Sequence, residues 1–407
     1  MAVVCSFKTI MKLLVCSIYN PESQDGVSNS TRRLVKALRQ GGANVTVCTT
    51  DGGWSVHSKK VSKEEDVLVF PAHCNNRFNW SFPLARFLRD NLRYFDLAYF
   101  NSLYSFSTVA GAWYARRYGI PYCVSPCGNY VPLSIKGESG IKSPIKKRLF
   151  FRTFSLPAIE GARCVICSSE SEAGGLRRHI RGGVLFEVIP NGMDPKEFAE
   201  ETEKEGVWSA LGIDPRARTV LFLGRMAKEK ALPFLLDVWG RFASRRNDAV
   251  LVLAGHEEGG TRKRLNDQLC GMKQKDTVIF TGPVSGRIKN ALLAHSDCLV
   301  LPSYFESFGI VVLEALLCGT PVIASRGTPW EELESQALGR WLEQDVEEWA
   351  IAIEEAIDGK RFSGASFKMK SREFVIKNYS CEGVTERFKE VFKQCMEVKQ
   401  SGIRGFY

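Results

Sequence analysis

Two glutamates stand in an otherwise apolar or small-residue stretch in the second half of the chain. They are Glu306 and Glu314, separated by seven residues, in LPSYFESFGIVVLEALLCGTPVIAS, which runs from Leu301 to Ser325. A buried carboxylate is costly unless it has a hydrogen-bonding or charged partner. The segment must therefore supply a partner for the second acid, or a ligand must do so.

The stretch predicts a strand ending at Leu299–Pro302, a loop at Ser303–Phe308 and a helix from Gly309 to Leu317 that Gly319 caps. Glu306 then lies in the loop, and Glu314 lies about one and a half turns inside the helix. In an alternative interpretation, Glu314 reaches solvent from a partly exposed helix and Glu306 caps its start.

The start of this predicted helix has the features of an anion-binding site. The backbone amides of Phe308, Gly309 and Ile310 lie at the positive end of the helix dipole, and Gly309 has no side chain to keep a phosphate away. Ser307 directly precedes these residues, and we predict that it also binds the substrate. An acid, an anion site and a second acid match the order of sugar hydroxyls, diphosphate and ribose hydroxyls in a nucleotide sugar.

Two cations follow a predicted strand, Thr219–Leu223, in the sequence GRMAKEK. The carboxyl ends of strands form the ligand-binding edge of a parallel sheet. The planar guanidinium of Arg225 and the compact ammonium of Lys230 are suited to neutralise a diphosphate there. The alternative is a solvated basic loop.

Short β-branched runs alternate with helical periodicity along the chain, which predicts parallel sheets covered on both faces. Turn residues at 190–194 and the acidic stretch Glu197–Glu205 predict a domain junction. We therefore predict an α/β protein with two Rossmann-like, doubly wound domains, residues 11–190 and 191–380, facing across a cleft. A helix with one apolar stripe occupies residues 381–407.

The predicted strands of the first half are Lys12–Ile18, Val45–Thr49, Val67–Phe70, Leu97–Phe100, Tyr122–Ser125, Cys164–Ser168 and Phe186–Ile189. Those of the second half are Thr219–Leu223, Ala249–Ala254, Val278–Thr281, Cys298–Leu301 and Pro321–Ala324. The first predicted helix is Ser30–Arg39, after a polar loop at Tyr19–Asn29.

Composition limits the class of protein. The 407 residues contain no apolar run of the ~20 residues that a membrane span needs, and the start lacks a convincing signal peptide.

The 13 cysteines are scattered, many in apolar strand contexts, so we expect thiols in a reducing cytoplasm. The CxxC of Cys164 and Cys167 is interpreted as part of a strand. A net charge of +10 favours an anionic partner: phosphates, nucleic acid or a lipid surface.

Taken together, these motifs resemble the retaining GT-B glycosyltransferases, the group 1 family with the EX7E motif. Glu306 and Glu314 match that motif, Gly224-Arg225…Lys230 is similar to the family's basic motif, and VIPNGMD is similar to its domain junction. The segments GTPVIASRGTPWEEL and YCVSPCGNY, with KKRLFFRTF downstream, resemble bacterial members that build extracellular polysaccharide or lipopolysaccharide. The likeness covers most of the chain.

The resemblance implies a GT-B fold and the transfer of a hexosyl group, with retention, from a nucleoside-diphosphate sugar to a glycan or a polyprenyl- or lipid-linked acceptor. Glu306 and the amides of residues 308–310 would hold sugar and phosphate, Glu314 the ribose, and Arg225 and Lys230 the diphosphate. No metal and no cofactor besides the donor substrate is expected. The C-terminal helix would cross back to the first domain.

The first half departs from the family pattern on the acceptor side. Many relatives carry histidines after two strands where this chain has Tyr99 with Asn101, and Pro126 with Cys127. Asn101 is the candidate hydrogen-bonding substitute. Of the usual glycine pair in the first loop only Gly26 is present, as a candidate for close backbone approach to the substrate. The glycine usual after the basic motif's lysine is Ala231.

A basic-aromatic segment lies between the two sets of motifs. Basic residues 142, 146, 147, 148 and 152 alternate with Ile145, Leu149, Phe150, Phe151 and Phe154. This pattern suits the surface of an anionic bilayer, so we expect a cytoplasmic protein that is peripheral on the inner face of the membrane. The alternative is a core-packing helix with a solvated basic face. No nucleic-acid-binding signature accompanies the segment, so nucleic acid is not an expected partner.

Three other functions are alternatives to a glycosyltransferase. A dinucleotide-dependent oxidoreductase needs a glycine fingerprint that neither Gly26 nor Gly224 provides. A GT-B epimerase or phosphorylase would use similar donor contacts. A non-catalytic nucleotide-sugar binder would fit the departures in the first half.

Overall fold

The computed structural model describes residues 10–20, 26–52, 67–73, 78–128, 144–198 and 203–397. The chain divides into two compact units. Unit 1 comprises the described residues up to Gly192 together with residues 381–397, and unit 2 comprises residues 193–198 and 203–380. Lys142 and the side chains of Lys146 and Lys147 lie outside the described residues.

Unit 1 is built on a seven-stranded sheet with the strand order β3-β2-β1-β4-β5-β6-β7, and its described strand pairs are all parallel. The strands are β1 (Lys12–Ser17), β2 (Asn44–Thr50), β3 (Val67–Phe70), β4 (Leu97–Asn101), β5 (Tyr122–Ser125), β6 (Cys164–Cys167) and β7 (Leu185–Val188). Every strand predicted in the first half is present, with ends that shift by no more than one residue. Cys164 and Cys167 both lie buried on β6, so the strand interpretation of the CxxC is confirmed.

Unit 2 contains a six-stranded parallel sheet with the strand order β10-β9-β8-β11-β12-β13. The strands are β8 (Arg218–Leu223), β9 (Ala249–Ala254), β10 (Val278–Gly282), β11 (Cys298–Leu301), β12 (Val322–Ser325) and β13 (Gly339–Leu342). The five predicted strands are confirmed, but β13 was missed. It is a four-residue edge strand whose central Arg340 and Trp341 are only half-buried, so it lacks an apolar run.

The helices of unit 1 before the junction are α1 (Gly26–Gln40), α2 (Phe82–Asn91), α3 (Phe106–Tyr118), α4 (Pro144–Phe150), α5 (Leu156–Glu160) and α6 (Glu170–Arg177). Unit 2 contains α7 (Lys204–Ala210), α8 (Leu232–Ala243), α9 (Thr261–Cys270), α10 (Gly286–His295), α11 (Val311–Cys318), α12 (Glu332–Ser335), α13 (Val346–Asp358) and α14 (Gly364–Tyr379). The last helix, α15 (Cys381–Glu397), belongs to unit 1. None of these described helices has the length and apolar character to span a membrane.

The sheets are covered on both faces, which explains why their strands are almost continuously apolar. In unit 2, Leu221 and Val252 belong to one buried cluster, while their neighbours Val220 and Leu251 belong to the cluster on the other face. This alternation follows from the two-residue period of a strand. The two sheets with their helices thus form two Rossmann-like domains.

Helix α1 begins at Gly26, four residues before the predicted start at Ser30, so the predicted loop is too long. The polar residues assigned to that loop are buried in the first turns of the helix. Ser28 accepts a hydrogen bond from the backbone N–H of Asn20 at 3.2 Å, and Asn29 is buried as well. Their polarity therefore reflects hydrogen bonding near the end of β1 rather than exposure to water.

Helix α15 packs its apolar stripe onto the unit 1 sheet. Val384, Phe388 and Phe392 are buried in one cluster with residues of β1, β2 and β4. The ring of Tyr99 on β4 lies 5.8 Å from that of Phe388 and 5.7 Å from that of Phe392. The last helix therefore completes the hydrophobic core of unit 1.

We predict that Phe392→Ala destabilises unit 1 by about 3–5 kcal/mol, because it leaves a cavity under a fully buried ring. The measurement is hydrogen exchange of β4 and β5 peptides along a urea series. Lys393→Ala, a neighbouring change in a side chain that is 73% exposed, is the control and is expected to shift stability by less than about 0.5 kcal/mol. Equal stability of the two variants would contradict a core role for α15.

Candidate functional site

The candidate donor site lies where β11 leads into α11 at the carboxyl edge of the unit 2 sheet. The helix begins at Val311, two residues after the predicted start. The reason is Gly309, whose φ of +81° is left-handed and cannot belong to a regular helical turn. A Cβ at this position would also lie 3.1 Å from a Leu301 methyl group, so the turn has little room for a residue with a side chain in place of Gly309.

The late helix start changes the position of the second acid. Glu314 lies in the first turn of α11, and its N–H donates to the carbonyl of Ile310 at 3.2 Å. The prediction that it lies one and a half turns inside is therefore wrong. Within the described part of the chain, the amides of Phe308, Gly309 and Ile310 donate to no acceptor, and Gly309 and Ile310 are partly exposed. The two acids thus flank a short row of amides that can accept an anion.

Glu306 is fixed on both its backbone and its side chain. Its N–H donates to the carbonyl of Gly327 at 3.0 Å, and its Oε1 accepts from Ser303 Oγ at 3.0 Å. The same Oε1 pairs with Nζ of Lys230, and the two side chains are only 13% and 14% exposed. The structure therefore brings together one predicted acid and one predicted cation from separate segments.

Lys230 reaches Glu306 because the chain turns sharply after it. Residues Lys228–Lys230 form a short 3-10 helix, and Ala231 then adopts a φ of +51° before α8 begins. A left-handed φ is uncommon for a residue with a side chain and easy for glycine. This geometry accounts physically for the glycine that the resemblance places at position 231.

Glu314 is paired with Lys289, a residue that the sequence reasoning missed. Lys289 Nζ on α10 lies 2.9 Å from Glu314 Oε1, and the two side chains are 13% and 6% exposed. Nζ also lies 5.4 Å from the ring centroid of Phe198. A buried acid is tolerated in this apolar helix because a buried cation faces it, so the alternative of a solvent-reaching Glu314 is wrong.

One signal in the sequence points to Lys289. It stands three and four residues before Leu292 and Leu293, which are buried, so it lies on the inward face of its own helix. A lone lysine on an apolar helix face needs a nearby acid. Which acid it meets depends on the packing of α10 against α11.

Arg225 lies after β8 and is about half exposed. Its guanidinium contacts Glu229 at 2.7 Å and also pairs with Glu258. Both predicted diphosphate cations are thus already engaged by carboxylates, Arg225 by two and Lys230 by one. The alternative of a freely solvated basic loop does not describe these contacts, because each cation is held in a defined direction.

The remaining predicted residues are placed as follows. Ser307 is buried beside the row of amides. In unit 1, Gly26 is exposed at the first position of α1. Asn101 ends β4 and is buried, and its Nδ2 donates to Thr31 Oγ1 at 3.1 Å and to Ser17 Oγ at 3.3 Å. The amide of Asn101 thus joins a hydrogen-bond network with β1 and α1 that the sequence did not reveal.

The nearest thiol does not supply a nucleophile to this site. Burial raises the pKa of Cys318 to about 12, and the negative charge of Glu314 on the same helix adds to the effect. The thiol is therefore protonated at neutral pH. No group of three His, Cys, Asp or Glu side chains among the described residues is arranged to hold a metal ion.

The described residues of unit 2 line at least two cavities. One of about 150 Å³ opens beside Glu306 and is lined by Ser303, Tyr304 and Gly327, among others. A larger one of about 470 Å³ runs along β13 and α13 between acidic and arginine side chains, and neither cavity is lined by a predicted site residue. The smaller cavity is the one beside the candidate site, because its wall includes Ser303 and Gly327, two of the three residues that hold Glu306.

Two family models match the chain. Residues 208–378 match the model for glycosyl transferases group 1, and residues 24–197 match the model for glycosyltransferase family 4. Together the matches include every strand of the two sheets except β1. The second half of the chain is thus similar to the group 1 glycosyltransferases and the first half to family 4, and the two Rossmann-like domains have the GT-B fold of the solved glycosyltransferase structures.

Individual relatives and a solved structure are also similar to this chain. An uncharacterized glycosyltransferase of Methanocaldococcus jannaschii is 29% identical over 224 residues, which is 52% of this chain and 54% of that relative. An alpha-monoglucosyldiacylglycerol synthase of Streptococcus pneumoniae is 28% identical over 321 residues, 75% of this chain and 68% of that relative. The crystal structure of Anabaena HepE in complex with UDP and glucose superposes with a TM-score of 0.75 and 18% identity, covering 94% of this chain and 100% of that one.

We predict that Lys289→Met destabilises unit 2 by about 3–5 kcal/mol, because it leaves Glu314 buried without its partner. The double variant Lys289→Met with Glu314→Leu is expected to regain most of that loss, since it removes both charges. Denaturant unfolding followed by tryptophan fluorescence measures the effect. Lys275→Met, a change in an exposed lysine of the same unit, is the control. A single variant as stable as the control would show that the ion pair contributes nothing.

Proposed function

We propose that this protein transfers a hexosyl group, with retention of anomeric configuration, from a nucleoside-diphosphate sugar held at the start of α11. The observation that carries the proposal is a row of three amides that donate to no acceptor among the described residues and that lie between two acids, each fixed by a lysine. Amides at a helix N-terminus bind phosphate oxygens. The flanking carboxylates are placed to accept hydrogen bonds from hydroxyl groups on either side of that phosphate.

In the proposed complex, each contact has a distinct role. The diphosphate lies on the amides of Phe308, Gly309 and Ile310, with Lys230 and Arg225 turning toward it from their carboxylate partners. Glu306 accepts from sugar hydroxyls in the adjoining cavity, and Glu314 accepts from the ribose. Anchoring by Lys289 keeps the carboxylate of Glu314 oriented before the donor arrives, which lowers the reorganisation needed on binding.

The proposed reaction needs alignment and charge stabilisation rather than a dedicated base. The bond between the anomeric carbon and the phosphate oxygen breaks, and a bond to the acceptor oxygen forms on the same face of the sugar. The acceptor proton passes to the departing phosphate oxygen. Lys230, Arg225 and the amides stabilise the negative charge that develops on the diphosphate.

For the donor, UDP-glucose is the first candidate. Support comes from the Anabaena HepE structure, which was solved with UDP and glucose and shares the fold. For the acceptor, we propose a glycan or lipid-linked saccharide of surface polysaccharide biosynthesis, taken at the inner face of the cytoplasmic membrane. The name of the Streptococcus pneumoniae relative, a glucosyldiacylglycerol synthase, supports a lipid-linked acceptor.

A second candidate function is a nucleotide-sugar binder without transferase activity. The observation that favours it is Asn101, which stands where the resemblance implies a histidine and whose amide group donates to Ser17 and Thr31. Donor-dependent stabilisation with no transfer to any acceptor in a broad panel would support this alternative. Release of sugar phosphate or of an epimerised donor would instead indicate a phosphorylase or an epimerase.

The transfer reaction is tested most directly at Glu306. Glu306→Gln is expected to lower kcat/KM by about 100-fold or more, because it weakens the sugar contact and leaves Lys230 without its acid. Glu205→Gln, at an exposed glutamate of unit 2, is the matched control. Thermal melting shows whether each variant is folded. Transfer at the unmodified rate by the folded Glu306 variant would refute the assigned site.

The stereochemical course is tested separately. With an α-linked UDP-hexose donor, the product is expected to carry an α linkage, which proton NMR coupling constants report. A β-linked product would overturn retention while leaving the assigned donor contacts in place.

A further inference from the structure

A continuous path of aromatic rings in unit 1 joins two segments that are far apart in sequence. Ring centroids lie 5.0 Å apart for Phe154 and Phe150, and 5.3 Å apart for Phe150 and Phe78. The path continues from Phe78 to Trp80 at 6.3 Å and from Trp80 to Phe82 at 5.6 Å. The basic-aromatic segment therefore does not stand alone, because residues 78–82 extend it into a larger surface.

Both ends of this path are exposed to solvent. The exposed fractions are 79% for Ile145, 64% for Leu149 and 44% for Phe154 in one segment, and 43% for Trp80 and 61% for Phe82 in the other. We call these five residues the aromatic face. A contiguous exposed apolar surface of this kind is unusual on a soluble monomer and indicates a partner.

The charges beside the aromatic face indicate which partner it is. Arg148 and Arg152 are exposed on the same helical run as Leu149 and Phe154. Aromatic and aliphatic side chains that alternate with arginines suit the headgroup region of an anionic bilayer. A second copy of the chain fits less well, because a two-fold interface through this surface would bring the arginines of both copies together.

The aromatic face lies toward the carboxyl edge of the unit 1 sheet. The ring of Trp80 stacks on Phe106 at 5.3 Å, and the ring of Tyr104 lies 5.6 Å from Phe150. Tyr104 and Phe106 directly follow β4, which ends at Asn101. Ligands of open parallel sheets bind at this edge. A bilayer in contact with the aromatic face would therefore lie close to the edge that holds the candidate acceptor residue Asn101.

We propose that the aromatic face inserts into the headgroup region of a membrane that contains anionic phospholipid, and that the protein takes its acceptor from that membrane. This inference rests on the proposed transferase function for the identity of the acceptor. Docking itself depends only on the five apolar residues and the two arginines.

Flotation of the full chain with vesicles tests the docking. Binding is expected with phosphatidylcholine vesicles that contain phosphatidylglycerol and to be weak without it. Arg148→Gln with Arg152→Gln should weaken binding by about 30-fold, since each arginine near an anionic surface contributes about 1 kcal/mol. Trp80→Ser with Phe82→Ser should weaken it by about tenfold or more through lost insertion.

The matched control is Tyr94→Ser. Tyr94 is 64% exposed and lies 5.5 Å from the Arg93 guanidinium, so it is also an exposed aromatic residue beside an arginine. It precedes β4 and thus lies at the opposite edge of the sheet. Its variant is expected to bind vesicles like the unmodified protein. Equal binding by all variants, or none by the unmodified protein, would overturn the proposal.

Two further measurements separate this inference from the proposed function. Light scattering of the unmodified protein and the Trp80/Phe82 variant detects a dimer through the aromatic face, and a dimer that this variant disrupts would overturn membrane docking. Transfer to a soluble acceptor analogue is expected to be unchanged in both double variants. If the protein transfers sugar to the soluble acceptor but does not bind vesicles, membrane docking is wrong and the proposed transferase function stands. If it binds vesicles but transfers no sugar, membrane docking stands and the proposed transferase function is wrong.

Discussion

Two ion pairs around the start of α11 hold the candidate site together. Lys230 engages Glu306 in the loop before the helix, and Lys289 engages Glu314 in its first turn. All four side chains are at least five-sixths buried, so the charges are removed from most of their water. Burying such charges is costly unless each has its partner, and the site therefore constrains the packing of α10, α11 and the loop after β8 at the same time.

These pairs also set the charge that a ligand would meet. The cations that the motifs offer for a diphosphate are engaged by carboxylates, Arg225 by Glu229 and Glu258, and Lys230 by Glu306. The amides of residues 308–310 are the donors that remain without an acceptor in the described chain. A diphosphate would thus be received first by backbone dipoles, with the cations shared between it and their carboxylates. In the proposed complex, donor affinity and the stability of unit 2 would consequently be linked through the same residues.

Unit 1 has a different physical character at its corresponding edge. Asn101, Ser17 and Thr31 form a buried network of neutral hydrogen bonds in place of a charged group. The nearby aromatic face is apolar and flanked by arginines. A neutral edge next to an apolar and basic surface is compatible with a lipid-linked saccharide, whose two ends need these two environments. The cleft predicted between the domains stays a prediction.

The sequence by itself determined the local elements and the class of fold. Strands such as β9 and β11 were predicted with their observed bounds, because hydrophobic period is a property of neighbouring residues. The EX7E spacing and the basic motif pointed to the group 1 glycosyltransferases, whose family model matches residues 208–378. The start of α11 was placed two residues early, since the pattern does not reveal that Gly309 turns left-handed.

Tertiary structure decided which side chains meet. Lys289 and Glu314 are 25 residues apart, and Phe78 and Phe150 are 72 apart, so neither contact has a local signature. Asn101 likewise gained its partners only when β1, β4 and α1 came together. Buried ion pairs and ring contacts depend on how helices and strands pack, whereas strands and helices depend mainly on the order of residues along the chain.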